Sequence, residues 1–495
     1  MSKLYYSSTR SNKEKLTFSE AVVRGIAPDG GLYVPSNFPK LDIFDKENLN
    51  LSYQEIAKKV LSLFAQDFTE EEINACVYGA YDEKFENSQV APLKVCENVS
   101  FIELYHGKTL AFKDMALSVL PYLMKTAAKK LGTKENIVIL AATSGDTGKA
   151  ALEGFADIEG TDIIVFYPTD GVSDVQKRQM TTQIGANTHV YGISGNFDDA
   201  QSGVKSLFMN KELREELKSK GYVFSSANSI NIGRLVPQII YYISSYYNLV
   251  KENIIKNGDP INVVVPTGNF GNILAAYYAK KIGLPINKFI CASNENNVLT
   301  DFIKDSTYDL DRAFNITISP SMDILISSNL ERFLYEISGQ DSEMVGELME
   351  SLKSNKKYKI TDTMKENMND FYGGYATDIE TIKTIETSYK KHNYVIDPHT
   401  AVAYSVYENY VKQTGDKTYT LIASTASPYK FTRSVAEGVG VSSESYNDFE
   451  LINILSEKTG LSIPQSIKGL DKRKILHNST CEKTELGTIV KNILK

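Results

Sequence analysis

Tryptophan is absent from this 495-residue chain, cysteine occurs four times and histidine five times. Cys76, Cys96, Cys291 and Cys481 lie far apart and form no C-x-x-C pair. That spacing argues against a disulfide framework or a zinc site and fits reduced thiols of a cytoplasmic protein. His189 and His399 are isolated, so no metal centre is expected. No apolar run approaches the roughly 18 residues that a membrane helix needs. The stretch Met1 to Lys15 is polar and has no apolar signal core, which argues against secretion. Positive charge is also in deficit: the net charge is −7. A phosphate backbone rewards a basic surface, so nucleic acid is not an expected partner. Neither is a membrane. An anionic small molecule remains compatible, provided its counter-charges are local.

What is present is a soluble, globular composition, 42% hydrophobic and 23% charged, long enough for two or three packed cores. Residues 1–95 read as a mainly helical N-terminal extension. Thr17 and Glu20 form a capping box, and Gly25 is a natural stop for the helix between them. From about residue 100 the pattern changes to apolar β-rich runs followed by helix-like stretches. Strands are expected at 137–142, 162–167, 189–193, 222–225, 261–265, 289–292 and 419–424. Helices are expected from Met115 to Lys130, from Ala150, from Asp198, from about Leu235 and from Ile273. Strands alternating with helices predict parallel sheets covered on both faces, an α/β fold with right-handed crossovers. Residues 330–390 are polar and helix-leaning and read as an insertion.

Five motifs carry candidate chemistry. In His106-Gly-Lys-Thr-Leu-Ala-Phe-Lys-Asp114, Lys113 stands at a helix N-terminus behind an apolar trio. Burial and a positive dipole end both disfavour its ammonium form, which is what an imine-forming nucleophile needs. Taken alone, it reads more readily as a solvated helix-start lysine. Neither glycine–lysine pair nearby is a P-loop: Ile102 stands where Gly107 would need a glycine partner, and Ala150 follows Lys149 where Ser or Thr is required. The turn Ser144, Gly145, Asp146, Thr147 and Gly148 joins a strand to a helix. Its glycines are expected to expose N–H groups to an anion such as a substrate carboxylate. The turn Gly268, Asn269, Phe270, Gly271 and Asn272 repeats that arrangement and suits a phosphate. Either could equally be a tight turn without a ligand. Ser424-Thr-Ala-Ser-Pro-Tyr-Lys-Phe431 ends a strand, where open α/β sheets bind ligands, and a hydroxyl there could meet a pyridine nitrogen. Arg234, after Ser226-Ala-Asn-Ser-Ile-Asn-Ile-Gly, could fork onto a phosphate or serve as an ordinary salt-bridged arginine.

The motifs together resemble the threonine synthases, of the longer microbial and fungal kind. The resemblance runs over nearly the whole chain, through Tyr6-Ser-Ser-Thr-Arg10, Ala27-Pro-Asp-Gly-Gly-Leu32, Leu110-Ala-Phe-Lys-Asp114, Ala142-Thr-Ser-Gly-Asp-Thr-Gly148, Pro266-Thr-Gly-Asn-Phe-Gly271, Asp397-Pro-His-Thr-Ala401 and Ser424-Thr-Ala426. It implies a fold type II pyridoxal-phosphate enzyme, similar to tryptophan synthase β, with two α/β domains. The large domain would comprise 96–135 and 236–495, including the helical insertion 330–390. The small domain would be 136–235. The resemblance implies pyridoxal 5′-phosphate held as a Schiff base on Lys113, its phosphate on Gly268 to Asn272 and its ring nitrogen near Thr425. It places the substrate on Ser144 to Thr147 and gives the substrate phosphate to Arg234. The implied reaction is O-phospho-L-homoserine plus water giving L-threonine plus phosphate, the last step of threonine biosynthesis. A serine or threonine dehydratase of the same fold is the alternative, and a non-catalytic metabolite-binding protein a more distant one. Lys149 is expected to add charge at the mouth. Asn272, Ser427 and Tyr429 depart from residues common in the family.

Overall fold

The long apolar runs form the strands. The computed structural model describes residues 3–143, 145–169, 172–195 and 197–495. A six-stranded sheet has the order Phe371–Tyr375, Ile286–Ser293, Ile261–Pro266, Thr420–Ser424, Val99–Glu103, Leu93–Cys96. Its pairs are parallel except for the hairpin that joins the last two strands. All six residues of Ile261–Pro266 are buried, as expected of a strand covered on both faces. A second, parallel sheet has the order Thr480–Cys481, Thr188–Ile193, Thr161–Pro168, Asn136–Ala142, Tyr222–Ser225. This is the α/β, fold type II arrangement.

The N-terminal segment adds a three-stranded antiparallel sheet, Ser11–Leu16, Tyr6–Ser8 and Tyr33–Pro35, to the helices Phe18–Arg24, Tyr53–Phe64 and Glu70–Ala80. The capping box at Thr17 forms: Glu20 N–H donates to Thr17 Oγ1, and Thr17 N–H donates to Glu20 Oε2.

Three expectations need correction. The segment 330–390 is not simply a helical insertion, because Phe371–Tyr375 joins the edge of the large sheet. Its glycines hide the strand: a β-carbon on Gly373 would come within 3.0 Å of the Thr300 backbone. The chain does not finish in the large domain, because Thr480–Cys481 pairs with Thr188–Ile193 of the small sheet and Leu486–Ile493 packs on the same core. The helix expected from Met115 to Lys130 is two helices, Asp114–Leu117 and Leu120–Lys130. Pro121 sits in the first turn of the second, where its missing N–H costs nothing, and it cannot continue the first. Among the described residues, no helix is long and apolar enough to cross a membrane.

Candidate active site

Three neighbouring strands of the large sheet deliver three of the motifs to one edge. Val99–Glu103 leads to Lys113, Thr420–Ser424 to Thr425, and Ile261–Pro266 to Gly268. The carboxyl ends of parallel strands are where α/β sheets bind ligands. The segment before Lys113 is pinned to the one after Thr425. Phe112 N–H donates to Thr425 O at 2.8 Å, Ser427 N–H donates to Leu110 O at 3.0 Å, and Ala111 bridges Ala426.

Lys113 is mostly buried, with 13% of its side chain exposed, and its Nζ lies 3.7 Å from Asp146 Oδ2. Burial lowers its pKa; Lys430 and Arg234 push in the same direction, and Asp146 opposes them. Asp146 opens the helix Asp146–Phe155 in the small domain, so this contact spans the two sheets. The other oxygen of Asp146 is 2.6 Å from the Nζ of Lys430, and it accepts from Gln176 Nε2 at 2.7 Å. The side chain of Lys430 is fully buried, and its Nζ also donates to Thr109 O at 2.8 Å. These cations hold the Asp146 carboxyl far below the usual carboxylate range, despite its burial.

Lys430 is the residue that sequence reasoning missed. It lies inside the Ser424 to Phe431 motif, whose hydroxyls are the more obvious ligands. Its only signal was a lysine set between Tyr429 and Phe431, two apolar neighbours just beyond a strand end.

Arg234 is buried, donates from Nη1 to Ala227 O at 2.6 Å, and leaves Nε without a partner. Burial brings its pKa down to about 10. Among the described residues it forms no salt bridge. The cations Lys430 and Arg234 and the carboxylate of Asp146 act on Lys113, and the buried carboxyl of Asp114 lies next to it in the chain and acts on Lys430.

The turn after Asn136–Ala142 differs from its sequence reading. Ser144 lies outside the described residues. The N–H groups of Gly145 and Gly148 do not face a ligand, because both donate to Thr143 Oγ1, at 3.0 and 2.9 Å. Both glycines serve close packing: a β-carbon on Gly145 would be 2.6 Å from Gln176, and one on Gly148 would overlap Thr143. The Asp146 side chain is committed to the two lysines. What the turn offers an anion is the first backbone N–H groups of the helix, at Asp146 and Thr147. Lys149 is not at the mouth. It is buried, with its Nζ on Glu153 at 3.0 Å and on Gln183.

The second turn opens the helix Gly271–Ile282, and Phe270 adopts the left-handed conformation, φ 61°, immediately before it. Gly268 is packed so closely that a β-carbon would stand 2.8 Å from Ser321 O. The Oδ1 of Asn272 accepts from the Tyr242 hydroxyl, and its Nδ2 is buried without a partner. Asn269 Oδ1 accepts from Ser328 Oγ at 3.2 Å. Thr425 is buried beside Lys113, and its neighbours Ser427 and Tyr429 serve the backbone. The Ser427 hydroxyl accepts from Tyr429 N–H, and the Tyr429 hydroxyl donates to Leu461 O. His399 uses both ring nitrogens structurally: Nε2 accepts from Ser321 N–H at 3.1 Å, so Nδ1 carries the proton shared with Asp397 at 2.7 Å.

Residues 5–81 match the family described as Threonine synthase N terminus, and residues 94–425 the one described as Pyridoxal-phosphate dependent enzyme. The threonine synthase of Pseudomonas aeruginosa is 37% identical over 446 residues, covering 88% of this chain and 90% of its own. The chain belongs to the threonine synthase family. The crystal structure of a pyridoxal-phosphate-bound threonine synthase from Brucella melitensis superimposes with a TM-score of 0.88 at 35% identity, over 99% of each chain. The human Threonine synthase-like 1 is 40% identical over 438 residues, 86% of this chain and 58% of that protein. The chain thus spans under two thirds of that relative's length. As a member of a pyridoxal-phosphate-dependent family, it takes pyridoxal 5′-phosphate as its cofactor. Its own residues fit that group: a largely buried lysine with a lowered pKa and a glycine turn follow strands of the same sheet, and that turn holds an unpartnered amide donor.

Proposed function

We propose that the chain is a threonine synthase, a carbon–oxygen lyase acting on a phosphate ester. It converts O-phospho-L-homoserine and water to L-threonine and phosphate. The observation that carries this reading is Arg234: a buried guanidinium that acts electrostatically on Lys113, forms no salt bridge among the described residues and leaves Nε without a partner. A phosphorylated amino acid brings a carboxylate and a phosphate to such a site. A dehydratase substrate brings only the carboxylate and would leave Arg234 without an anion.

The bound pyridoxal group supplies an electron sink that makes amino-acid protons at Cα and Cβ removable. Lys113 holds it, and the amine of Lys113, once free, moves protons at Cα and Cβ while phosphate leaves Cγ and water adds at Cβ. The low pKa that burial gives this amine keeps a larger neutral fraction available for that task. Gly268, Asn269, Phe270, Gly271 and Asn272 grip the cofactor phosphate. The Thr425 hydroxyl would serve as the neutral partner of the ring nitrogen. The turn that begins at Gly145 receives the substrate carboxylate through the backbone N–H groups of Asp146 and Thr147, and Arg234 takes the substrate phosphate. Lys430 keeps the Asp146 side chain out of the way of that carboxylate.

Purified protein should show an absorbance band near the visible edge, lost in Lys113→Ala, and should release phosphate and L-threonine in equal amounts from O-phospho-L-homoserine. Keto acid formed from threonine, with no phosphate release, would convert the assignment to a dehydratase. A wild-type spectrum without the band would remove the attachment of the cofactor to Lys113.

A further inference from the structure

The N-terminus of the helix Gly271–Ile282 is surrounded by more buried donors than the chain itself uses. Asn329 is fully buried. Its backbone N–H donates to Asn269 O at 3.0 Å, and its Oδ1 accepts from Arg332 Nη1 at 2.5 Å. Its Nδ2 has no partner, and it lies 3.4 Å from where a β-carbon on Gly271 would stand. The amide cannot reverse, because turning it would set its N–H groups against those of the guanidinium. The residues before it lace the same turn: Ser327 Oγ donates to Gly268 O at 2.7 Å, and Ser328 Oγ bonds Asn269. From the helix itself, Asn272 adds a second buried Nδ2 without a partner. A buried donor left unpaired is costly. Two of them at the positive end of one helix dipole call for an anion with several acceptor oxygens.

We propose that Asn329 is a side-chain ligand of the phosphate bound at Gly268–Asn272, and that Arg332 is the positioning residue that aims it. The phosphate is then held from two separate segments of the chain, not by the glycine turn alone. Arg332 is itself fully buried, with Nε on Tyr33 O at 2.9 Å and Nη2 on Ile230 O at 2.6 Å. It therefore ties the aim of Asn329 to the N-terminal extension and to the segment leading to Arg234. The inference rests on the reading of Gly268–Asn272 as the cofactor-phosphate turn.

The test titrates the full-length apoprotein with pyridoxal 5′-phosphate and, separately, with pyridoxal, which lacks the phosphate. Asn329→Asp keeps an oxygen for Arg332 and replaces the free donor with a charged acceptor; Asn329→Ser is a smaller second variant. Asn329→Ser should weaken pyridoxal 5′-phosphate roughly 10- to 100-fold, and Asn329→Asp by more. Pyridoxal affinity should stay within about twofold of wild type in both variants. The phosphorus resonance of bound cofactor should also move in Asn329→Ser. Equal losses for the two ligands would make Asn329 a structural residue and overturn the proposal. So would an unchanged affinity for pyridoxal 5′-phosphate, including the case where only inorganic phosphate binding to the holoenzyme weakens, which would assign the donor to the substrate. A wild-type apoprotein that captures neither ligand would instead sink the cofactor reading beneath it.

Discussion

At the scale of single residues, the site turns on how Asp146 divides its two oxygens. One belongs to Lys430 and Gln176, the other lies 3.7 Å from Lys113. Removing Lys430 leaves Asp146 to face Lys113 alone and removes a repulsive neighbour. Lys430→Met should therefore raise the basicity of Lys113, and Asp146→Asn should lower it. The rate at which apoprotein captures pyridoxal 5′-phosphate follows the neutral amine. Its pH midpoint should move to higher pH in the first variant and to lower pH in the second, each by on the order of one unit. Shifts of the same sign in both variants would contradict this charge balance. Asp114, next to Lys113, supplies a stability test. Burial pushes its carboxyl up to about 6, although the Thr109 N–H and hydroxyl both donate to it. The native state then binds a proton more tightly than the unfolded chain, so stability is lost as pH rises through that window, by on the order of 3 kcal/mol. Asp114→Asn should flatten that part of the denaturation-midpoint profile between pH 4 and pH 7. Lys113 was legible because a motif surrounded it. Lys430 was not, since a lysine in sequence looks solvated, and only the fold shows the carboxylate from the other domain that meets it.

At the scale of elements, legibility followed hydrophobic runs. Val263–Pro266 and Ile137–Ala142 are continuous apolar runs and are readable as buried strands. Phe371–Tyr375, carrying two glycines, and the polar Ser11–Leu16 are not, because their place is decided by the neighbour they pair with. The turn at Gly145 is legible as a turn but not in its orientation, because Thr143 captures the N–H groups that a pattern assigns to a ligand. Gly154 shows how closely the elements of the site are packed. A β-carbon there would overlap the backbone oxygen of Leu117, in the short helix that follows Lys113. Backbone cannot yield as a flexible side chain does. Gly154→Ala should separate the helix carrying Asp146 from the one that begins at Lys113, at a cost of roughly 1–3 kcal/mol. Denaturant unfolding would measure the loss, and slower capture of pyridoxal 5′-phosphate would show that the two helices have moved apart. A variant of unchanged stability would mean that the contact relaxes without cost.

At the scale of the whole molecule, the two ends of the chain each fasten a part of the structure distant in sequence. At the N-terminal end, Arg10 makes a bidentate bond to Glu331, both distances 2.8 Å, and Thr9 adds a third at 2.6 Å. Arg332 reaches Tyr33 O from the adjacent position. Arg10 is partly exposed, so Arg10→Ala should cost only about 1–2 kcal/mol, most of it from a buried Glu331 left with Thr9 alone. The C-terminal end does more. Cys481, Leu486, Val490 and Leu494 are buried against Val138, Leu140, Ile164 and Phe166, the outer core of the small sheet. Ser479 O and Cys481 O accept from the edge strand, at Gly192 and Ser194. Ending the chain at Asn478 removes three fully buried aliphatic side chains, worth roughly 5–9 kcal/mol together. That is comparable to the whole stability of an ordinary domain. It also bares a strand edge. The truncated protein should bind an apolar dye, associate at micromolar concentration, and be cut first within residues 136–225, while fragments of the large sheet persist. Limited proteolysis with mass spectrometry would read the order of cleavage. Cleavage beginning in the large sheet would mean that the last strand and helix do not hold the small domain closed.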